Sequence, residues 1–266
     1  MLREPQVAGQ FYPAAGLKLK QSIDALVSRK SKKEEAFGLV APHAGYMFSG
    51  AVAGACFSRV KLTKTVIIIG PNHTGRGAFY SIMTEGAWKM PMGDVQIDQA
   101  LAEQIARESR YLEKDHRAHA YEHSIEVQLP FLQYFMPEVK IVPIVLSGAE
   151  FKIYDEIGQA IAKATKTHQK ALIVASSDMT HYEPHQRAKQ KDQMAINEIL
   201  KLDPSGLLKL VEEQNITMCG YGPVACMLSA SKELGAKKAS LIKYQTSGEA
   251  GGDYSSVVGY AGIIVQ

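Results

Sequence analysis

Three apolar, strand-like runs in this chain each lead directly into a histidine or aspartate set among Gly, Pro, Ser or Asn. LVAPHAGY carries His43, TVIIIGPNH carries His73, and ALIVASSDMTH carries Asp178 and His181. A run apolar at every position, rather than at alternate ones, suits a strand buried on both faces, as in parallel sheets covered by helices. In open sheets of that kind, ligands gather on the loops at the carboxyl ends of the strands. The pattern therefore predicts an α/β fold with a site assembled from distant segments.

The rest of the chain fits that frame. Helices are expected over residues 17–27, where Leu17, Leu19, Ile23 and Leu26 share a face, and over 49–57, 98–109, 154–165, 190–200, 204–213 and 221–234. Strands are expected over 37–41, 65–69, 139–146, 171–175, 239–246 and 255–265, with a strand and turn within 78–91. Residues 122–135 have helical spacing in Ile125, Leu129 and Leu132, with Pro130 placed to kink or divide the helix. Alternating elements of this kind predict a single three-layer α/β domain over residues 1–266, with a mostly parallel central sheet covered by helices. The segment SRKSKKEE is the only linker-like stretch, and no internal period is visible. Phe11 and Tyr12 are expected to pack as a plug ahead of the first helix.

Charge and composition exclude several function classes. The 30 Lys and Arg against 27 Asp and Glu leave a formal charge of +3, and the one basic cluster, RKSKKEE, carries two glutamates, which argues against a nucleic-acid surface. No run approaches the roughly 18 apolar residues of a membrane span. The amino-terminal residues do not read as a signal peptide, and cytoplasmic localisation is expected. Three cysteines without a CxxC pair suit a reducing compartment. Cys56 and Cys226 lie in helix-like, small-residue contexts and read as core residues, whereas Cys219 is followed by glycines and a proline, as at the mouth of a loop.

Imidazole and thiolate are the donors that hold zinc, iron or copper, and three such ligands leave a position open for water or substrate. His43, His73 and Cys219 form the expected ligand set. Asp178 and His181, three apart after a strand, suit either an acid/base histidine oriented by a carboxylate or a pair supporting the metal; the alternative is a helix-capping Asp178 with His181 on an outer turn. His123 is a candidate second base or substrate donor, or else a helix-start histidine paired with Glu122 or Glu126. His116, His119, His168 and His185 are expected in solvent. No GxSxG elbow or SxxK element with its partners supports serine catalysis, while a Cys219 nucleophile with a histidine base stays open. TSGEAGGDYSS lacks the lysine of a phosphate-binding P-loop and is expected to form a flexible rim loop.

At PHAGYMFSG, GPNHTG, EHSIEVQLPFL, SSDMTHY and MCGYGP, in that order after an opening VAGQFYP, the chain closely resembles the Memo family over essentially its whole length. That family is similar in fold to the class III extradiol ring-cleaving dioxygenases, which are non-haem iron enzymes. The resemblance implies that His43 and His73 correspond to iron-ligating histidines, His123 to a histidine near the substrate, and His181 to an acid/base with Asp178 beside it. Cys219 stands where the dioxygenases place a glutamate ligand, and a thiolate there softens the site toward copper, zinc or thiolate-bound iron. The expected cofactor is iron(II) or copper, with zinc as a substitute. Relatives in bacteria and archaea are grouped with an AMMECR1-like protein and a radical SAM protein, which implies a shared modification pathway. Two function classes follow: a metal-dependent redox or oxygen enzyme, or a non-catalytic module that binds a small molecule or peptide in the same pocket.

Overall fold

The strand Thr65–Pro71, buried along its whole length, runs through the middle of a twelve-stranded sheet in a computed structural model that describes residues 1–266. Across the sheet, Val95–Ile97, Lys140–Leu146, Thr65–Pro71, Leu172–Ser176 and Gly38–Ala41 are neighbours, all parallel. Val257–Val265 then continues the sheet antiparallel to Gly38–Ala41, and Ala239–Thr246 pairs antiparallel with it. The sheet is thus mostly parallel at its centre, and the three strands that lead to His73, Asp178 and His43 lie side by side. Their runs are almost wholly apolar and buried at every position, so both faces must be covered.

Helices supply that cover. Tyr221–Glu233 packs on four of the parallel strands, and Phe151–Thr167 lies against it; Tyr46–Arg59 packs on Gly38–Ala41 and the two carboxyl-terminal strands. Register places Gly38 and Gly262 on opposite faces of the sheet, and a Cβ at either would collide with the covering helix, at 2.2 Å from Met227 Sδ and at 2.3 Å from Cys56 Sγ respectively. One continuous hydrophobic cluster of 68 buried residues results, including Cys56 and Cys226. No helix is long and apolar enough to cross a membrane.

The structure departs from the sequence reading where side chains compete with backbone pairing. Residues 122–135 do not form one helix: a 3-10 turn, Glu126–Gln128, precedes a short helix, Leu129–Phe135, whose first turn accepts Pro130 because its missing N–H has no partner there. The Glu126 carboxylate instead takes Arg3, the backbone N–H groups of Gln6 and Val7, and the Tyr12 hydroxyl, which ties down the amino-terminal strap. TSGEAGGDYSS is not all loop, since Ser247–Gly251 forms a helical turn closed by a capping box between Thr246 and Glu249. Asp178 caps no helix, and the residues after it form a short strand, His181–Glu183, antiparallel to the carboxyl-terminal strand.

His119 also corrects an expectation, because it is fully buried rather than solvated. Ser81 Oγ donates to the Asp115 carbonyl at 2.6 Å and lies 2.9 Å from His119 Nε2, so His119 donates there and stays neutral. Burial, aided by the Arg3 charge, pushes its pKa down to about 3. An unfolded histidine takes up a proton below about pH 6.5 and the folded one does not, so stability is lost as pH falls from about 6.5 toward about 3. Thermal unfolding across that range is expected to show a shallower acid limb in His119→Gln, which keeps a donor toward Ser81; an unchanged limb would contradict this assignment.

Candidate metal centre

His43 follows the strand Gly38–Ala41 by two residues, His73 follows Thr65–Pro71 by two, and Asp178 follows Leu172–Ser176 by two, so three adjacent parallel strands deliver them to one edge. His123 arrives from the loop before the 3-10 turn. One ligand atom from each of His43, His73 and His123 lies within 4.8 Å of the other two. The ring centroids are 5.2 Å apart for His43 and His73, 5.5 Å for His43 and His123, and 4.8 Å for His73 and His123. Nitrogens about 2.1 Å from one ion are at most about 4.2 Å apart, so closing the group onto an ion needs only small side-chain shifts. This donor set fits a borderline cation.

Cys219, just ahead of the helix Tyr221–Glu233, lies outside that three-histidine group but against it, its Sγ 3.3 Å from His43 Nε2. The sulfur accepts the Asp178 backbone N–H at 3.2 Å, and the Asp178 carboxylate accepts the His43 backbone N–H at 2.7 Å. His43, Asp178 and Cys219 are thereby linked. His181 approaches from the short strand, and its Nδ1 faces the carbonyls of Met179 and Thr217, each at 2.8 Å. Backbone carbonyls, rather than Asp178, therefore orient its ring and leave Nε2 as the available base of the neutral form. Thr217 Oγ1 also accepts the His181 N–H at 2.7 Å.

The most informative residue that sequence reasoning placed only as a partner of His123 is Glu122. Its fully buried carboxylate accepts the His73 N–H at 2.7 Å, the Ser124 N–H at 2.8 Å and His73 Nδ1–H at 2.9 Å, while His123 Nδ1 stays 3.6 Å away. The only sequence signal was an acid beside a histidine in YEHSIE. A carboxylate on Nδ1 turns Nε2 of His73 outward as a ligand, the usual support for a metal-bound imidazole.

Charge follows burial. Desolvation holds His43 well below the ordinary histidine pKa, and His123 is lowered for the same reason. Burial also opposes protonation of His73, but the Glu122 hydrogen bond and charge outweigh it and raise its pKa. Burial disfavours the Glu122 anion in turn, yet the His73 hydrogen bond and charge pull its pKa down to about 2. Asp178 moves the other way, pushed up to about 6 by burial despite its backbone hydrogen bonds. The Cys219 thiol is raised by burial and by the neighbouring Asp178.

Above this floor opens a cavity of about 910 Å³. His43, His73, His123, Asp178 and His181 face it from below, and Phe11, Met47, Phe48 and Tyr182 form an apolar rim. Phe11 belongs to the amino-terminal strap and meets the His123 ring edge-on at 5.2 Å. Met47 and Tyr182 are 77% and 79% exposed, and Tyr182 holds a left-handed φ of 59°. That conformation costs a non-glycine residue about 1–3 kcal/mol, and here its neighbours enforce it: His181 is clamped by Thr217, and Glu183 by Lys191 and Arg187.

Comparison with known proteins places these residues in a family context. A family model described as Memo-like protein matches residues 3–264. A MEMO1 family protein of Methanopyrus kandleri is 43% identical over 281 residues, spanning 100% of this chain and 99% of its own. One from Pyrobaculum aerophilum is 44% identical, spanning 99% and 98% respectively. The crystal structure of an uncharacterized protein from Escherichia coli K12 superposes with a TM-score of 0.56 at 14% identity, over 85% of this chain and 98% of that one, a likeness of fold alone.

Glu122→Gln is expected to lower metal affinity by about 10- to 100-fold, because an amide can accept at only one of the two oxygens that now serve three N–H donors. Calorimetric titration with zinc(II) measures it. Unchanged affinity would show that Glu122 does not support a ligand.

Proposed function

Because this chain belongs to the Memo family, we propose that it is a metal-binding protein acting as an iron(II)- or copper-dependent redox or oxygen enzyme on a small molecule. The observation that carries the reading is the convergence of His43, His73 and His123 beneath an open cavity, with a carboxylate behind one ligand candidate. His43 and His73 are the proposed core of the ligand set. Cys219 is the proposed third ligand, supported by its 3.3 Å approach to His43 Nε2, close to the separation of about 3.3–3.8 Å between two ligands on one tetrahedral ion. His123 then faces the substrate. Iron(II) or copper bound there supplies a Lewis acid with accessible one-electron chemistry, and zinc is a redox-silent substitute.

The remaining roles belong to side chains. His181 exchanges a proton with the substrate through Nε2, while Met179 and Thr217 hold Nδ1–H in place. Asp178 fixes the His43 loop through its backbone amide and tunes the charge of the floor. The apolar rim residues favour a ligand with a polar head and an apolar body. A place in a modification pathway with AMMECR1-like and radical SAM proteins is proposed from the family resemblance alone.

Three variants, reconstituted anaerobically with iron(II) or copper(I), separate these roles. His43→Ala is expected to lose metal affinity by more than about a hundredfold, and Cys219→Ala to lose affinity for copper most strongly. His181→Ala should retain metal. Incubation of the loaded protein with cell extract, followed by oxygen and untargeted mass spectrometry, should then give a mass change that His181→Ala abolishes. Equal ligand retention by metal-free protein, with no chemical change, would instead favour a binding module.

A further inference from the structure

Beneath His43 is a buried hydrogen-bond junction with a single consistent arrangement of hydrogens. Ser176 Oγ meets three groups: the Ser124 carbonyl at 2.7 Å, the Gln128 side-chain amide at 2.8 Å and His43 Nδ1 at 2.9 Å. All four residues are buried. A hydroxyl has one hydrogen to give and two lone pairs to offer. The Gln128 amide orientation is not free to invert, because its nitrogen also faces the Pro42 carbonyl at 2.9 Å and the Ala41 carbonyl at 3.3 Å; an inverted amide would set oxygen against oxygen at each. Gln128 therefore donates to Ser176. The Ser124 carbonyl can only accept, so it takes the single Ser176 hydrogen. Only an acceptor position then remains on Ser176 Oγ for His43, whose Nδ1 must carry a hydrogen.

We propose that Ser176, itself oriented by the Ser124 carbonyl and Gln128, is a positioning residue that fixes His43 as the Nδ1–H tautomer and directs the Nε2 lone pair at the candidate metal position before any ion arrives. Nε2 is the nitrogen that faces Cys219 Sγ at 3.3 Å, so the locked lone pair lies on the side of the ring where the proposed ligand partner stands. A free imidazole divides its population between two tautomers, and a site that must first convert one to the other binds with lower apparent affinity. The serine comes from the strand that leads to Asp178, so one segment supplies both contacts that hold His43, Ser176 to the ring and Asp178 to the backbone. Glu122 does for His73 with a carboxylate what Ser176 does for His43 with a neutral hydroxyl. That difference leaves His43 Nδ1 without a carboxylate partner, since the Asp178 carboxylate meets the backbone of His43 and not its ring.

The inference rests on His43 being a ligand, and its test separates the two claims. Long-range proton–nitrogen NMR correlation on histidine-labelled, metal-free protein reads the tautomer directly. The expected result is a protonated Nδ1 and an unprotonated Nε2 for His43, with mixed tautomers in Ser176→Ala and the original one restored in Ser176→Thr. Zinc(II) affinity should fall by about 10- to 100-fold in Ser176→Ala and recover in Ser176→Thr. A protonated Nε2 in the wild-type protein would overturn the tautomer assignment even if no variant folds. A correct tautomer in all three proteins with equal zinc affinity would overturn the positioning role. Absence of zinc binding by the wild-type protein would overturn the ligand reading beneath both.

Discussion

The carboxylate of Glu122 is the contact on which the site most depends. It is fully buried and would be costly there without donors, and it receives three N–H groups, two of them from His73. One side chain thus closes the loop after the central strand, fixes the ring of His73 and places His123 beside it. Four residues on, Glu126 does the same for the amino terminus, gathering Arg3, two backbone amides and the Tyr12 hydroxyl. Breaking a buried pair of that kind costs about 3–5 kcal/mol, since the abandoned Arg3 charge is almost wholly buried. The strap it holds carries Phe11 to the cavity wall.

The two faces of the cavity obey different physics. Its floor collects histidines in a desolvated setting that keeps His43 and His123 neutral and therefore able to donate lone pairs. His73, beside Glu122, is pushed toward the charged form. Phe11, Met47, Phe48 and Tyr182 give the rim an apolar side, and Met47 and Tyr182 are its most exposed members. Polar convergence below and apolar cover above is the usual construction of a small-molecule site.

Much of the fold was legible because its signal is collective. Unbroken β-branched runs such as residues 66–69 admit only a doubly covered strand, and each such run ended in a residue that the structure brings to the same edge. His43, His73, Asp178 and His181 could be nominated by that logic, whereas Cys219 was nominated by the glycines and proline that follow it. What escaped was local competition: Glu122 and Glu126 spend their side chains on distant donors, and so the helix expected over 122–135 starts late. His119 was misplaced because no local motif marks it as buried, and its partner, Ser81, lies 38 positions away in sequence. Ser176 and Gln128 lay in an expected strand end and an expected helix; their role exists only through a junction of three segments, residues 41–43, 124–128 and the strand that ends at Ser176.

The central claim is that His43 and His73 hold one ion at the carboxyl edge of the sheet. Anomalous diffraction from crystals loaded with zinc(II), recorded on both sides of the zinc absorption edge, tests it most directly. A single peak about 2.0–2.1 Å from a nitrogen of each ring is the predicted result. A loaded crystal with no peak between those rings, or with zinc bound elsewhere while both imidazoles stay free, would contradict the account.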